Sequence, residues 1–228
     1  MRTLCVDVGG TGIKGTVYDV AGVALCERQR LPTPRPATPD PVLETVAAIA
    51  AKAGEYDRVS VGFPGVVEEG VIKTAPNLDG IWGGFDARVE LERRLGKAVR
   101  IANDADVQGL AVVEGRGLEM VLTLGTGLGS AIYVDGRCAW NLELGHHTYN
   151  GKDSYEDRVS DATRKLIGNK KWRKRVASIL EKLDPIFNYR KLYLGGGNAA
   201  RLDPAQLPSN VAIVDNAAGM LGGLKLWV

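Results

Sequence analysis

A mixed α/β architecture in two halves is what this sequence predicts, and three observations carry it. The chain opens with a buried apolar run, Leu4 to Val6, then Asp7-Val8-Gly9-Gly10-Thr11-Gly12-Ile13-Lys14-Gly15, then a second strand pattern at Thr16 to Tyr18. The same order returns as Met120 to Leu124, Gly125-Thr126-Gly127-Leu128-Gly129, and Ser130 to Val134. After each opening, helical and strand patterns mix. Ile132-Tyr133-Val134-Asp135-Gly136 even echoes Val17-Tyr18-Asp19-Val20-Ala21-Gly22. A repeated strand, glycine turn and strand is a weak internal duplication. Two such halves facing each other would point both turns at one cleft. Two unrelated hairpins of a common type would give the same pattern.

The elements follow in order. Val23 to Leu31 reads as the return arm of a hairpin, and proline-rich Pro32 to Pro41 as a loop. Val42 to Ala53 has helical spacing, and Val59 to Gly62 is a short buried strand. Thr74 to Gly84 is a loop containing Asn77, Asp79 and Trp82. Asp86 to Leu95 is a helix, with Asp86 near its start and Gly96 just past its end. Ala98 to Ala102 is a strand leading into Asn103-Asp104-Ala105-Asp106 and a helix to about Glu114. In the second half, Arg137 to Leu142 is a strand, and Tyr155 to Leu166 and Trp172 to Leu183 are helices. Leu192 to Leu194 and Val211 to Val214 are strands, and Asn216 to Leu226 is the last helix.

Composition narrows the function classes. The chain has 228 residues, enough for one large domain or two small ones, and a net charge of +2. That balance gives no reason to expect a nucleic-acid or membrane partner. No apolar run approaches the roughly 20 residues of a membrane span. The N-terminus runs straight into a strand without a signal-peptide pattern. Cys5, Cys26 and Cys138 are isolated thiols without CxxC spacing. They read as reduced packing residues of a cytosolic protein.

The first glycine turn carries chemistry. Glycines let backbone N–H groups approach an anion closely. A tight hairpin would also use glycines, but this turn is longer than a hairpin needs, and Asp7 faces the same loop. An acid beside a phosphate cradle makes sense with a divalent metal between them. No Gly-Lys-Ser/Thr follows, so this is not a Walker loop. A strand follows rather than a helix, so it is not the dinucleotide fingerprint.

Asn103-Asp104 ends a strand, where ligand crevices form in open α/β sheets. An Asp there can take a proton from a hydroxyl attacking a phosphorus. It can equally cap the helix that begins at Ala105. Glu143-Leu144-Gly145-His146-His147 holds both histidines of the chain and suits sugar hydroxyls or a metal. Zinc lacks further ligands here, since no cysteine follows. Lys165, Lys170, Lys171, Arg173, Lys174 and Arg175 form a basic run. It reads as a solvated face or as a track for a polyanion.

Taken in order, Asp-x-Gly-Gly-Thr, Ala-Pro-Asn-Leu at 75–78, Asn-Asp-Ala at 103–105, Gly-Thr-Gly-x-Gly at 125–129, Glu-Leu-Gly-His at 143–146 and Gly-Gly-Gly at 195–197 make a specific set. The chain resembles the ROK family of sugar kinases, in the short, cysteine-poor branch that includes polyphosphate glucokinases. The resemblance covers essentially the whole chain. It implies an α/β hexokinase/actin-like (ribonuclease H-like) fold, with two α/β domains around a cleft. Residues 1–103 with 216–228 would form the N-terminal domain and 104–215 the C-terminal one.

The resemblance also implies a role for each matching residue. Asp104 would be the catalytic base. Asn77, Asn103, Glu143 and His146 would hold sugar hydroxyls. Gly9, Gly10, Thr11, Gly12 and Lys14, with Gly125, Thr126, Gly127 and Gly129, would hold donor phosphates. Asp7 would face Mg2+, and Gly195, Gly196, Gly197 and Asn198 would lie near the adenosine of a nucleotide donor. Typical members bind zinc through this histidine and three downstream cysteines. Those cysteines are absent, so no structural zinc is expected. Tyr155-Glu156-Asp157-Arg158-Val159-Ser160 resembles the stretch after the last of them, which matches Glu156 to a sugar-binding glutamate.

The implied activity is transfer of a phosphoryl group from ATP or polyphosphate to the 6-hydroxyl of glucose or a related hexose. The enzyme would be a cytoplasmic homodimer with no nucleic-acid or membrane partner. A sugar sensor without catalysis and a kinase of another acceptor are the rivals. Asp104 disfavours the first, and Glu143-Leu144-Gly145-His146 the second.

Overall fold

The computed structural model describes residues 1–215 and 219–228, and these divide into two units. Met1–Ala111 with Gly219–Val228 form the first and Val112–Ala218 the second.

In the first unit, β1 (Thr3–Val8), β2 (Gly12–Tyr18), β3 (Gln29–Pro32), β4 (Arg58–Phe63) and β8 (Ala98–Asn103) make a five-stranded sheet ordered β3-β2-β1-β4-β8. The first three strands are an antiparallel meander, and β4 and β8 run parallel to β1. Alternation along the strands separates the two faces. Leu4, Val6, Val8, Ile13, Val59 and Val61 form a core with Val42, Val46 and Ile49 of α1 (Pro39–Lys52). Cys5 and Tyr18 face Met220, and Ser60 Oγ donates to the Gly223 carbonyl of the C-terminal helical turn, Gly222–Lys225.

α2 (Ala87–Leu95) starts and stops where its end residues dictate. Asp86 accepts from the Val89 N–H at 2.9 Å, and Gly96 takes the left-handed conformation. α3 (Asp104–Val112) follows β8 directly and, through Ala111, belongs to the first unit.

The second unit repeats this topology. β9 (Leu118–Leu124), β10 (Leu128–Val134) and β11 (Arg137–Ala139) are an antiparallel meander. β12 (Lys191–Gly195) and β13 (Val211–Ile213) run parallel to β9, in the order β11-β10-β9-β12-β13. The duplication in the sequence is therefore one of sheet topology, and coincidence between hairpins is excluded. α4 (Tyr155–Val159) and α5 (Asp161–Phe187) pack Tyr155, Val159, Trp172, Val176 and Leu180 on this sheet. A break at Gly168, which has φ +77°, divides α5 between the two helices the sequence predicts.

Several elements depart from expectation. The expected strand Val23 to Leu31 shrinks to Gln29–Pro32, because Asp19 Oδ1 takes the Ala21 and Val23 N–H groups and ties residues 19–23 into a turn. Arg137 to Leu142 shortens to Arg137–Ala139, since the Leu142 carbonyl accepts from Ser130 Oγ at 2.7 Å instead of a strand. Three two-residue strands, β5 (Val67–Glu68), β6 (Val71–Ile72) and β7 (Phe85–Asp86), form a small sheet too short to leave a periodic signal. The start of the expected last helix, residues 216–218, lies outside the described residues.

Candidate active site

The first glycine turn is closed by backbone bonds and held by residues downstream. Gly9 N–H donates to the Gly12 carbonyl at 3.1 Å, and a Cβ at Gly9 would meet that oxygen at 2.9 Å. Only glycine allows so close an approach. Thr33 Oγ1 donates to the Gly9 carbonyl at 2.5 Å, and Arg35 Nη2 to the Gly10 carbonyl at 2.9 Å. Asn77 reaches the same turn, its carbonyl oxygen 3.6 Å from where a Gly10 Cβ would stand. The Asn77 loop is pinned by buried Trp82, whose Nε1 donates to the Ala37 and Asp79 carbonyls and whose ring lies 4.9 Å from that of Phe63.

Asp7 lies at the C-terminal end of β1, with Lys14 Nζ 3.4 Å away. Burial pushes its carboxyl above the usual range, and Lys14 opposes this in part. The described residues hold no group of three His, Cys, Asp or Glu side chains that could cage a metal. One half-buried carboxylate, whose lysine stands beyond the 2.7–2.9 Å of a tight charge-assisted bond, fits magnesium. That ion keeps several waters and takes one or two carboxylates with substrate phosphates.

At the same end of the sheet, Asn103 fills the helix-capping role. Its Oδ1 accepts from Ala105 N–H at 2.8 Å and Asp106 N–H at 3.2 Å, and its Nδ2 donates to the Gly65 carbonyl at 3.2 Å. Asp104 stands one residue later, and its Oδ1 shares the Ala105 N–H at 2.8 Å. Gly62 of β4 makes the space, since a Cβ there would touch Asp104 Cα at 3.4 Å.

In the second unit the structure brings together Glu143, His146, Glu156 and the second glycine turn. Glu143 Oε2 lies 3.3 Å from His146 Nε2. Their segment is folded onto β10, where Ser130 Oγ receives the Leu144 N–H, and Gly145 packs against the Leu128 carbonyl with no room for a Cβ. Glu156 is raised on α4, which Ser154 and Asp157 start with a reciprocal capping box. Its Oε2 accepts from the Leu128 N–H at 2.9 Å, and its carboxylate covers Gly127. Burial raises the Glu143 carboxyl above its usual range, His146 opposes this, and the nearby Glu156 charge adds to it.

The connection from His146 to Glu156 is braced without thiols. Tyr149 N–H donates to Asp153 at 2.7 Å, and Tyr149 stands edge-on to Tyr155 at 5.1 Å. Lys182 and Arg158 lie 3.9 and 4.7 Å from the Tyr149 ring. His147 lies against Tyr155, at 5.9 Å between ring centroids. Cys5, Cys26 and Cys138 form no disulfide.

Gly195 to Gly197 meet the second turn from behind. Gly196 has φ +84° and presses on the Leu124 backbone, and buried Asn198 donates its N–H to the Leu124 carbonyl at 2.9 Å. Asp161 N–H donates to the Gly125 carbonyl at 2.9 Å. Lys165 and then Arg164 hold the Asp161 carboxyl well below the usual range.

The basic run is divided. Lys165 pairs with Asp161 at 2.7 Å, and Arg175 Nη1 donates to the Arg158 carbonyl at 3.3 Å. Lys170, Arg173 and Lys174 line a groove of about 570 Å³ with Val176, Leu202 and Asp203. Sequence reasoning passed over Thr33, Arg35, Ser130 and Asp161. Only Asp161 carried a signal, through Arg164 and Lys165 at helical i+3 and i+4 spacing.

Residues 3–157 match the ROK family. The polyphosphate glucokinase of Mycobacterium tuberculosis (strain CDC 1551 / Oshkosh) is 36% identical over 233 residues, covering 95% of this chain and 88% of that protein. The Mycobacterium leprae polyphosphate glucokinase is 35% identical, over 97% of this chain and 73% of its own length. Among solved structures, the inorganic polyphosphate/ATP-glucomannokinase of Arthrobacter sp. strain KM superposes with a TM-score of 0.90 at 33% identity, covering 99% of this chain and 97% of that one. A ROK family glucokinase from Streptomyces griseus, solved with glucose and AMPPNP, shares the fold at a TM-score of 0.83, 19% identity and 99% of each chain.

Proposed function

The chain belongs to the ROK family and is a phosphotransferase whose acceptor is a sugar hydroxyl, and from that premise we propose that it phosphorylates the 6-hydroxyl of glucose or a close hexose. ATP, polyphosphate or both serve as donor. The observation that carries the reading is that Asn103, and not Asp104, caps α3. The bland role for Asp104 is thereby taken by its neighbour. Its carboxylate stands on the first helical residue, where Oδ1 also accepts from the Ala105 N–H.

In this reading Asp104 accepts the proton of the attacking hydroxyl. The bond from sugar oxygen to phosphorus forms as the bond from phosphorus to the leaving phosphate oxygen breaks. The leaving group keeps that electron pair. Positioning and charge neutralisation supply most of such catalysis, so the base needs no unusual basicity. Asp7 would hold a magnesium ion, which when bound neutralises donor phosphate charge. The backbone N–H groups of the two glycine turns donate to phosphate oxygens, except those of Gly9, Gly125 and Leu128, which are engaged within the protein. Asn77, Glu143, His146 and Glu156 orient the sugar. Asn103 serves chiefly to position Asp104, because its amide is engaged with α3 and Gly65.

The reading places the enzyme in the cytoplasm, as a homodimer. Its thiols, none of them in a disulfide, suit a reducing compartment, and light scattering in solution tests the assembly. The central experiment is a coupled assay for the phosphorylated sugar with glucose, offering ATP and polyphosphate side by side. Turnover with at least one donor is expected. Sugar binding without turnover on either donor would favour the sensor.

A further inference from the structure

Three charged residues stand side by side on one face of the first unit's sheet. Asp7 of β1 is the register partner of Lys14 of β2, and Lys14 is the partner of Arg30 of β3. Register partners point their side chains to the same face. From the centre of the sheet to its edge strand the row therefore reads minus, plus, plus. Asp7 answers Lys14 at 3.4 Å, while no carboxylate pairs with Arg30 among the described residues. The Arg30 guanidinium lies along the glycine turn instead. A Cβ at Gly12 would be 3.0 Å from its Nε and 3.1 Å from its Nη2.

Two cations opposed across a strand pair destabilise it unless an anion lies between them. Arg35 adds a third positive charge at the same turn through Gly10, partly offset by Asp79 at 3.3 Å. Asp104 stands at the opposite edge of the same sheet, at the end of β8. The order along the sheet is thus base, Asp7, Lys14, Arg30. Arg30 lies two strand spacings, about 10 Å, beyond Asp7.

We infer that Lys14 and Arg30 form a phosphate row for the part of an inorganic polyphosphate donor that lies beyond its reacting end. The inference rests on the sugar-kinase reading and deepens it by locating where a polyphosphate donor would extend. The row presents charge at the spacing of one strand, and a polyphosphate chain presents charge at regular spacing. A nucleotide carries its charge on a few phosphates and ends in an uncharged base, so cations up to two strand spacings beyond Asp7 suit the longer anion better. The competing place is the groove beside Lys170, Arg173 and Lys174. Its walls include Asp203 as well as apolar Val176, Leu202 and Leu207, a mixture that suits a polyanion poorly.

The test compares Arg30→Gln with wild type and with a Lys170→Gln, Lys174→Gln double variant. Binding of long-chain polyphosphate and of ATP is measured by calorimetry at two salt concentrations, and KM for both donors alongside. Arg30→Gln should weaken polyphosphate binding about tenfold, as expected for the loss of one charge-assisted contact. It should flatten the salt dependence, leave ATP within about twofold and leave Tm unchanged. The double variant should bind polyphosphate like wild type. Unchanged polyphosphate affinity in Arg30→Gln overturns the row. So does an equal loss of both donors, or a loss confined to the double variant. Calorimetry judges the row even where no sugar is phosphorylated, so failure of this inference and failure of the sugar-kinase reading are distinguishable.

Discussion

Gly127→Ala should disable the enzyme while leaving it folded. Gly127 carries no positive φ, so alanine suits its backbone. The obstacle is Glu156. A Cβ at position 127 would stand 2.8 Å from Glu156 Cδ and nearer still to Oε2, where ordinary contact begins at 3.4 Å. The carboxylate must therefore swing away by about 1 Å, a displacement that can cost about 10²-fold in rate at a reacting centre. Moving it also breaks the 2.9 Å bond to the Leu128 N–H. A hydrogen bond to a charged group contributes roughly 1.5–3 kcal/mol, and water can replace part of this at a half-buried site. For a chain of this size each kcal/mol lowers Tm by about 2–4 °C, so the shift should stay within several degrees. The assay is kcat/KM for glucose and KM for the donor, with thermal melting alongside. Gly196→Ala is the contrast. Its φ of +84° and its approach of 2.6 Å to the Leu124 carbonyl carbon leave nothing that can move, so folding itself should suffer. Wild-type kcat/KM in a folded Gly127→Ala protein would refute the placement of Glu156 at the sugar.

Other outcomes follow from the same geometry. Asp104→Asn should keep the fold and sugar binding and lower kcat by about 10²–10⁴, and a folded variant with near-wild-type turnover would remove Asp104 from the base role. Glu143 is raised above its usual 4.5, so the folded chain holds that proton more tightly than the unfolded one. Its contribution is complete below pH 4.5 and is lost as pH rises through the folded value. Glu143→Gln should accordingly gain Tm relative to wild type at neutral pH and lose that gain in acid, while kcat/KM for glucose falls; a Tm difference independent of pH would contradict the assigned burial. Glu119 is fully buried and accepts from the Glu114, Gly115 and Arg116 N–H groups and the Tyr193 hydroxyl, with Arg190 at 3.3 Å. Glu119→Ala strands these donors while Arg190 keeps Glu114, so it should cost roughly 1–3 kcal/mol for each donor that water cannot reach, and a total loss under about 1 kcal/mol in denaturant unfolding would mean water replaces the network.

Much of this protein was legible because the features are local. Close backbone approach demands glycine, so both turns stood out. Asp86 and Gly96 marked the ends of α2, because capping acts within one helical turn. The three small strands, at two residues each, fell below any period that could reveal them. In the basic run, charge alone could not tell Lys165, spent on Asp161, from Lys170 at the groove. Neighbours on one helix part company according to what packs beside each of them.

By itself the sequence determined the repeated strand, glycine turn and strand, the acid at the end of β1, and the Asn-Asp step at the end of β8. Each depends on conformational limits or pairings within a few residues. Only the tertiary structure decided which residues meet those features. Cross-strand register set Arg30 beside Lys14, although the hairpin between them departs from the expected strand. The crossover from β10 to α4 laid Glu156 over Gly127, and parallel pairing put Gly62 beneath Asp104. Asn103 took the cap and Asp104 the first helical position because β8 ends where it does against Gly65. Such meetings depend on how separate strands pair and pack, and contacts between distant residues leave no periodic mark in the chain.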